Sequence, residues 1–325
     1  MKAVVVKNHK AVVRDIEKPV PPPGEVLIAV RLAGICATDL QIVKGYADDS
    51  RPAGTPPAPR VIGHEFVGTV VEGGKSLANQ RVVGEINCAC GRCDMCQGGL
   101  ANHCRKRSVL GICNRAGAFA EYVCLPEQNC IPVPDALTDE EAVFAEPLAA
   151  AIQITRQVKL ESRTNVAVLG TGRLGLLVAQ VLATTGCKLT AIGRQRATLA
   201  LLDRRRIRNV HIDELTHGAN YDVVIECTGS PSGLPLALKL VRPRGTIVMK
   251  TTCAAREPVD LTDLVVNEIT LLGSRCGPMR DALALLATRR VDTTGMVSRT
   301  FPLVDAEKAL AAACEPGTIK VLLKP

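Results

Sequence analysis

The chain has 325 residues, 47% hydrophobic and 22% charged, the make-up of a globular protein with room for two domains. Aromatic residues make up 2% with no Trp, which argues against stacking platforms for single-stranded nucleic acid or sugars. The formal charge of +8 comes with no nucleic-acid motif, and its densest cluster, Arg204, Arg205, Arg206 and Arg208, reads as a solvated helix end.

The first part is β in character. Strands are expected at 2–7, 11–15 and 25–33, with Pro21-Pro22-Pro23-Gly24 as a rigid turn before the third. Short strands and loops continue to about residue 134, and the Pro-, Gly- and Asp-rich segment 45–60 is expected to be a loop. Residues 1–4 run straight into a strand pattern, and no apolar run reaches transmembrane length, so neither a signal segment nor a membrane span is expected.

The pattern then changes. Strands at 165–169, 188–192, 209–212, 222–226, 245–249 and 269–273 are interleaved with helices at 174–185, 197–204 and 233–241, with Gly186 as a natural C-cap. That alternation implies βαβ units and a parallel sheet. Helices at 281–288 and 305–313 and a strand at 319–323 follow. This tail is expected to rejoin the first domain, because an open sheet of six strands is already complete.

Gly170-Thr171-Gly172-Arg173-Leu174-Gly175 fits G-x-G-x-x-G after an apolar strand and at the start of a helix. The first Gly permits a tight turn, the second lets backbone approach a pyrophosphate, and the third lets helix and strand pack closely. The alternative is a glycine-rich turn between packed elements. About 20 residues beyond such glycines, an Asp or Glu would bind a ribose 2′-hydroxyl and favour NAD. Here Gly193 takes that place, followed by Arg194 and Arg196. With no carboxylate to repel a 2′-phosphate and guanidiniums to bind one, NADP is favoured over NAD. The plainer alternative is that both Arg are surface residues opening a helix.

The chain has 14 Cys. Cys90, Cys93, Cys96 and Cys104 are spaced C-x2-C-x2-C-x7-C, and four thiolates at this spacing close a tetrahedron around a structural Zn²⁺. An Fe–S cluster is the rival, weakened by the long last gap and the lack of Pro after Cys104. Cys88 is the spare thiol. Thiolates used for metal fit a reducing cytoplasm better than a disulfide framework. A second, dispersed set is Cys36, His64 with Glu65, and Glu146. A Cys, a neutral His and a carboxylate leave one zinc position open for substrate. Taken singly, each has a structural reading: a buried small residue, a satisfied loop histidine, a carboxylate at a helix N-terminus.

At these residues the chain resembles the zinc-containing medium-chain alcohol dehydrogenases. The resemblance spans nearly the whole length. It is carried by Pro22-Pro23-Gly24-Glu25-Val26-Leu27, Gly34-Ile35-Cys36-Ala37-Thr38-Asp39, Gly63-His64-Glu65-Phe66-Val67-Gly68, the four-Cys lobe, Glu146-Pro147-Leu148, and the glycine fingerprint with Glu226-Cys227-Thr228-Gly229. The Glu-Pro-Leu element looks closer to the sorbitol, threonine and glucose dehydrogenase branches than to the ethanol branch.

The resemblance implies an α/β chain of two domains. A GroES-like distorted β-barrel catalytic domain would comprise 1–145 and 276–325, and a Rossmann doubly wound parallel sheet 146–275. Cys36, His64 and Glu146 would hold a catalytic zinc, and Glu65 would sit beside it and exchange with water as a ligand. Thr38 would accept the substrate hydroxyl proton, and Asp39 would orient His64. Thr228 and Gly229 would line the nicotinamide ribose side. Two departures stand out: Gln41 replaces a proton-relay His common in the family, and Ala37 replaces a common Arg.

The implied activity is zinc-dependent hydride transfer between a secondary alcohol, polyol or sugar and NAD(P), with two zinc per chain. The implied assembly is a cytoplasmic homodimer or homotetramer, with no nucleic-acid or membrane partner. Two other readings remain at this stage. One is a reductase or lyase that uses the cofactor transiently, and the other is an NADP(H)-binding redox sensor without turnover.

Overall fold

The computed structural model describes residues 1–45, 60–216, 218, 220–252 and 260–325. Most of the expected loop 45–60 therefore lies outside the described residues. The chain divides into two compact units, Met1–Glu146 with Val297–Pro325, and Pro147–Met296.

In the first unit the strand Glu25–Gly34 is central. It pairs antiparallel with Glu65–Glu72, Tyr122–Pro126 and Lys320–Lys324. With neighbours along both edges and packing on both faces it is an almost continuous apolar run, and Val26, Leu27, Ile28 and Ala33 are buried. Arg81–Gly84 and Cys130–Pro132 extend the sheet on one side, and Val297–Pro302 pairs parallel with Lys320–Lys324 on the other. A smaller sheet joins Lys10–Asp15, Lys2–Lys7 and Arg60–Val61. Two registers place the site described below: Gly34 sits opposite Glu65 on one side and Leu322 on the other.

The second unit is a six-stranded sheet, parallel throughout. Its order is Asn209–His211, Lys188–Gly193, Asn165–Leu169, Tyr221–Glu226, Val241–Met249, Thr270–Gly273. In chain order this is 3-2-1-4-5-6, the doubly wound arrangement whose topological switch lies beside its first strand. The core beneath it gathers Ala167, Leu169, Ile192, Val224, Ala237, Leu240 and Ile247.

Differences from the expected elements have local causes. The helix expected to reach residue 185 is Arg173–Ala183, because the hydroxyls of Thr184 and Thr185 each donate back at 2.7 Å, to Val181 O and Leu182 O. The strand expected at 245 begins at Val241 despite Pro243, across an irregularity in register at Tyr221/Val223. Residues 276–296 group with the second unit rather than with the first. Arg156 pairs with Asp281 at 2.7 Å, Asp292 N donates to Gln180 Oε1 at 2.8 Å, and the helix Met279–Ala287 buries Met279, Ala282, Leu283 and Leu286. Arg205, read as part of a solvated helix end, instead donates to Leu201 O, Asp292 O and Thr294 O and ties that same segment down. No described helix is long and apolar enough to cross a membrane.

Candidate active site

Cys36 follows the central strand and caps the helix Ala37–Val43. Asp39, fully buried one turn later, accepts from Cys36 N at 2.8 Å through Oδ2. Its other oxygen, Oδ1, lies 3.2 Å from His64 Nδ1, close but not aligned as a hydrogen bond. His64 precedes the strand Glu65–Glu72 and follows Gly63, whose φ of +99° suits glycine and whose missing side chain admits the Phe119 ring. Backbone geometry thus brings a thiol, an imidazole and a carboxylate from two segments to one place.

Cys36, His64 and Glu65 each present a ligand atom within 4.8 Å of the others, with His64 and Glu65 buried. With Nδ1 turned to Asp39, Nε2 is the nitrogen left for a metal, the usual orientation of a metal-binding histidine. Glu65 Oε1 is buried without a hydrogen-bond partner, a condition a cation would relieve. Burial works to lower the His64 pKa, but the Asp39 carboxylate and the Cys36 sulfur outweigh it and hold it well above its ordinary value. An S, N, O donor set of this kind fits zinc.

Glu146 stands outside that group of three. It occupies the first turn of the helix Ala145–Gln157 and retains some exposed surface as a residue. Burial of its carboxyl pushes the pKa up to about 7, against the pull of His64. Thr38 Oγ1 is 3.8 Å from Cys36 Sγ, within reach of whatever the sulfur binds.

Lys320, unremarked in the sequence, lies beside the group. It is 1% exposed and its Nζ pairs with Glu65 Oε2. A lone Lys in the apolar run Ile319-Lys320-Val321-Leu322-Leu323 was the available signal, since a strand buries such a charge only against a partner.

The four-Cys lobe is compact. Cys90, Cys93, Cys96 and Cys104 hold their sulfurs within 4.8 Å of one another, and no described cysteine forms a disulfide. Cys93 Sγ lies 3.5 Å from Cys96 Sγ and 3.8 Å from Cys104 Sγ. A tetrahedron with Zn–S bonds of about 2.3 Å has edges of about 3.8 Å, so the spacing fits zinc. Backbone N–H groups of Cys90 and Lys106 donate to Cys104 Sγ at 3.3 and 3.4 Å. The N–H of Arg105 and then that of Cys96 pull the Cys93 thiol down to about 6.

In the second unit Gly170 ends the first strand with φ +100°, and a Cβ there would stand 2.8 Å from Cys227 backbone. Gly172 caps the helix Arg173–Ala183, and a Cβ on it would meet open space, leaving the helix N-terminus approachable. Leu174 and Gly175 lie in the first turn of that helix. Thr228 and Gly229 follow the fourth strand, where buried Glu226 Oε1 accepts from Thr228 N at 2.8 Å and Gly229 N donates to Thr251 Oγ1 at 2.9 Å. Gly193 ends the second strand. Arg194 O lies 2.9 Å from His211 Nε2, and Arg196 pairs at 2.9 Å with Glu214 on the surface.

A family profile described as alcohol dehydrogenase GroES-like domain matches residues 22–135, and one described as zinc-binding dehydrogenase matches 174–288. The sorbitol dehydrogenase of Halalkalibacterium halodurans is 30% identical, covering 100% of this chain and 99% of its own. The chain belongs to the zinc-dependent medium-chain alcohol dehydrogenase family. As a member it is a zinc-dependent alcohol oxidoreductase, with a GroES-like first domain and a Rossmann-like parallel sheet. Two solved structures similar to this chain carry dinucleotide. A zinc-binding dehydrogenase from Sinorhizobium meliloti 1021, bound to NADP, is 30% identical with a TM-score of 0.85, covering 100% of this chain and 99% of that one. The alcohol dehydrogenase rspB of Escherichia coli CFT073, complexed with NADH, is 25% identical with a TM-score of 0.86 and the same coverage.

Proposed function

We propose that this dehydrogenase oxidises a secondary alcohol, polyol or sugar, or reduces the matching carbonyl, with NADP in preference to NAD. The observation that carries the reading is the convergence of Cys36, His64 and Glu65 within 4.8 Å beside a buried Asp39. The polyol class is supported by the sorbitol dehydrogenase relative. The NADP preference is supported by Gly193 in place of a carboxylate and by Arg194 and Arg196 after it.

Cys36 and His64 are the residues to hold a catalytic zinc, with Glu65 or Glu146 supplying the carboxylate, and the four-Cys lobe is the structural zinc site. Zinc held by these residues would supply Lewis-acid polarisation of the substrate oxygen, and a bound dinucleotide would supply the hydride acceptor. The protein's own groups do the rest. Asp39 orients His64 and, through Cys36 N, the start of the helix that carries Thr38. Thr38 Oγ1 takes the substrate hydroxyl proton and passes it outward. With Gln41 in place of a histidine, the onward relay runs through water or an acidic side chain. Gly170, Gly172 and the N-terminus of the helix Arg173–Ala183 receive the pyrophosphate, and Thr228 and Gly229 line the nicotinamide ribose.

The active form is a homodimer or homotetramer of the reducing cytoplasm. Free thiols favour that compartment, and the exposed edge strand Thr270–Gly273 of the parallel sheet supports pairing with a second copy.

The test is a panel of polyols, sugars and secondary alcohols assayed with both cofactors by nicotinamide absorbance, on wild type and Cys36→Ser. Turnover in wild type, lost in Cys36→Ser with dinucleotide binding kept, is the expected result. Full activity in Cys36→Ser, or a strong preference for NAD, overturns the corresponding part.

A further inference from the structure

The strand Lys188–Gly193 ends against the turn Gly170-Thr171-Gly172. Thr171 and Thr198 meet behind that junction, 5% and 3% exposed. Their hydroxyl oxygens are 2.8 Å apart, and Thr198 Oγ1 already donates to Gln195 O at 2.9 Å. A hydroxyl has one proton, so Thr171 is the donor between the two. The Thr171 side chain is thereby pinned to the first turn of the helix Arg196–Arg204, and the segment carrying Arg194 and Arg196 is fixed with it.

A Cβ placed on Gly193 would overlap Thr171 Oγ1 and stand 3.0 Å from both Thr171 Cβ and Leu199 Cδ2. Gly193 is not among the residues of positive φ, so space, and not backbone conformation, demands glycine there. Rotation of Thr171 does not clear the space. One of the two other staggered positions puts the methyl where the hydroxyl was, and either one gives up the buried bond to Thr198 and leaves Thr171 Cβ 3.0 Å from the added carbon.

We infer that Thr171, braced by Thr198, is a specificity-determining residue: it keeps position 193 free of a side chain and so excludes the carboxylate that would bind a ribose 2′-hydroxyl and repel a 2′-phosphate. The inference rests on the NADP reading above and deepens it. Absence of an acid at 193 is enforced by a neighbour in the glycine turn. A single substitution to Asp therefore cannot convert the site, whereas one that also trims Thr171 can.

The test has two arms on the full-length protein. The first needs no cofactor. Gly193→Ala lowers Tm by about 5 °C, the scale of a core overpacked by one methyl, and the same change made in a Thr171→Ala background costs less than half as much. The second arm reads kcat/KM with NAD and NADP. Gly193→Asp alone gains nothing with NAD, while Thr171→Ala/Gly193→Asp raises the NAD-to-NADP ratio by about 10-fold over it. Equal thermal costs in the two backgrounds, or a Gly193→Asp enzyme that prefers NAD unaided, overturns the inference. A wild-type preference for NAD defeats the NADP reading instead, and the thermal arm still decides the brace.

Discussion

Glu65 and Lys320 form an ion pair in which each side chain is 1% exposed, joining strands from opposite ends of the chain beside the candidate metal ligands. Two strand pairings create it. Glu65 lies opposite Gly34, and the strand holding Lys320 pairs with the other edge of the same central strand. Gly34 makes room, since a Cβ there would stand 2.6 Å from Glu65 Oε2. A buried pair adds little over apolar packing, but removing one partner strands the other charge. Lys320→Met is expected to lower unfolding free energy by about 3–5 kcal/mol, measured by urea denaturation. Glu65→Gln/Lys320→Met should recover most of it. A Lys320→Met protein as stable as wild type would show that the pair is not what holds Glu65.

The local signals were legible in the sequence and the non-local ones were not. The glycine turn after Asn165–Leu169 and the alternation of strands and helices announced the parallel sheet, because each is written within a few tens of residues. The four-Cys spacing did the same for its lobe. Lys320 stands out only as a lone charge in an apolar run, and its partner could not be named because it is 255 residues away and only sheet pairing brings the two together. Cys36, His64 and Glu146 suit a metal by residue type, but each alone has a structural reading, and only the resemblance assigns them together to a catalytic zinc. The structure gathers the first two with Glu65 and leaves Glu146 outside, a distinction that no spacing encodes. The boundary near residue 276 was missed because Arg205 and Gln180, which hold the following segment, are ordinary polar residues in the sequence.

Metal analysis of the purified protein should find about two zinc per chain, one for each cluster of ligands. Cys96→Ser should drop the count to about one and lower thermal stability, since a closed thiolate site contributes to folding. Cys36→Ser should drop it equally with little change in Tm. A single zinc in wild type would mean that one cluster does not hold metal.

Asp222 makes stability pH-dependent at the acid end. Its Oδ2 accepts from Asn165 N at 2.7 Å and its Oδ1 from Arg242 Nε at 2.6 Å. The Asn165 N–H first, then the Arg242 guanidinium, hold the carboxyl below its ordinary range. A carboxyl depressed on folding contributes stability that is fully present above its unfolded pKa of about 3.9 and is lost as pH falls through the folded value. Asp222→Asn should therefore melt lower than wild type at pH 7, with the gap closing below about pH 3.9. A gap that stays constant from pH 7 to pH 3 would assign the loss to packing instead.

The edge of the parallel sheet gives the last expectation. Among the described residues Thr270–Gly273 has a single partner strand, and Leu271 on it is 42% exposed. The adjoining helix Thr262–Val266 leaves Val265 and Val266 at 71% and 72% exposure, with Leu261 before it at 52%. Leu271 on the strand and Leu261, Val265 and Val266 at the helix before it are apolar side chains left to water, and a second copy related by a two-fold axis is expected to cover them. Val265→Glu/Val266→Glu would place like charges in such an interface without touching either unit's core. Light scattering should then give half the wild-type mass, with circular dichroism unchanged. A wild-type protein that is monomeric at micromolar concentration would remove the reason for this exposed edge to be an interface.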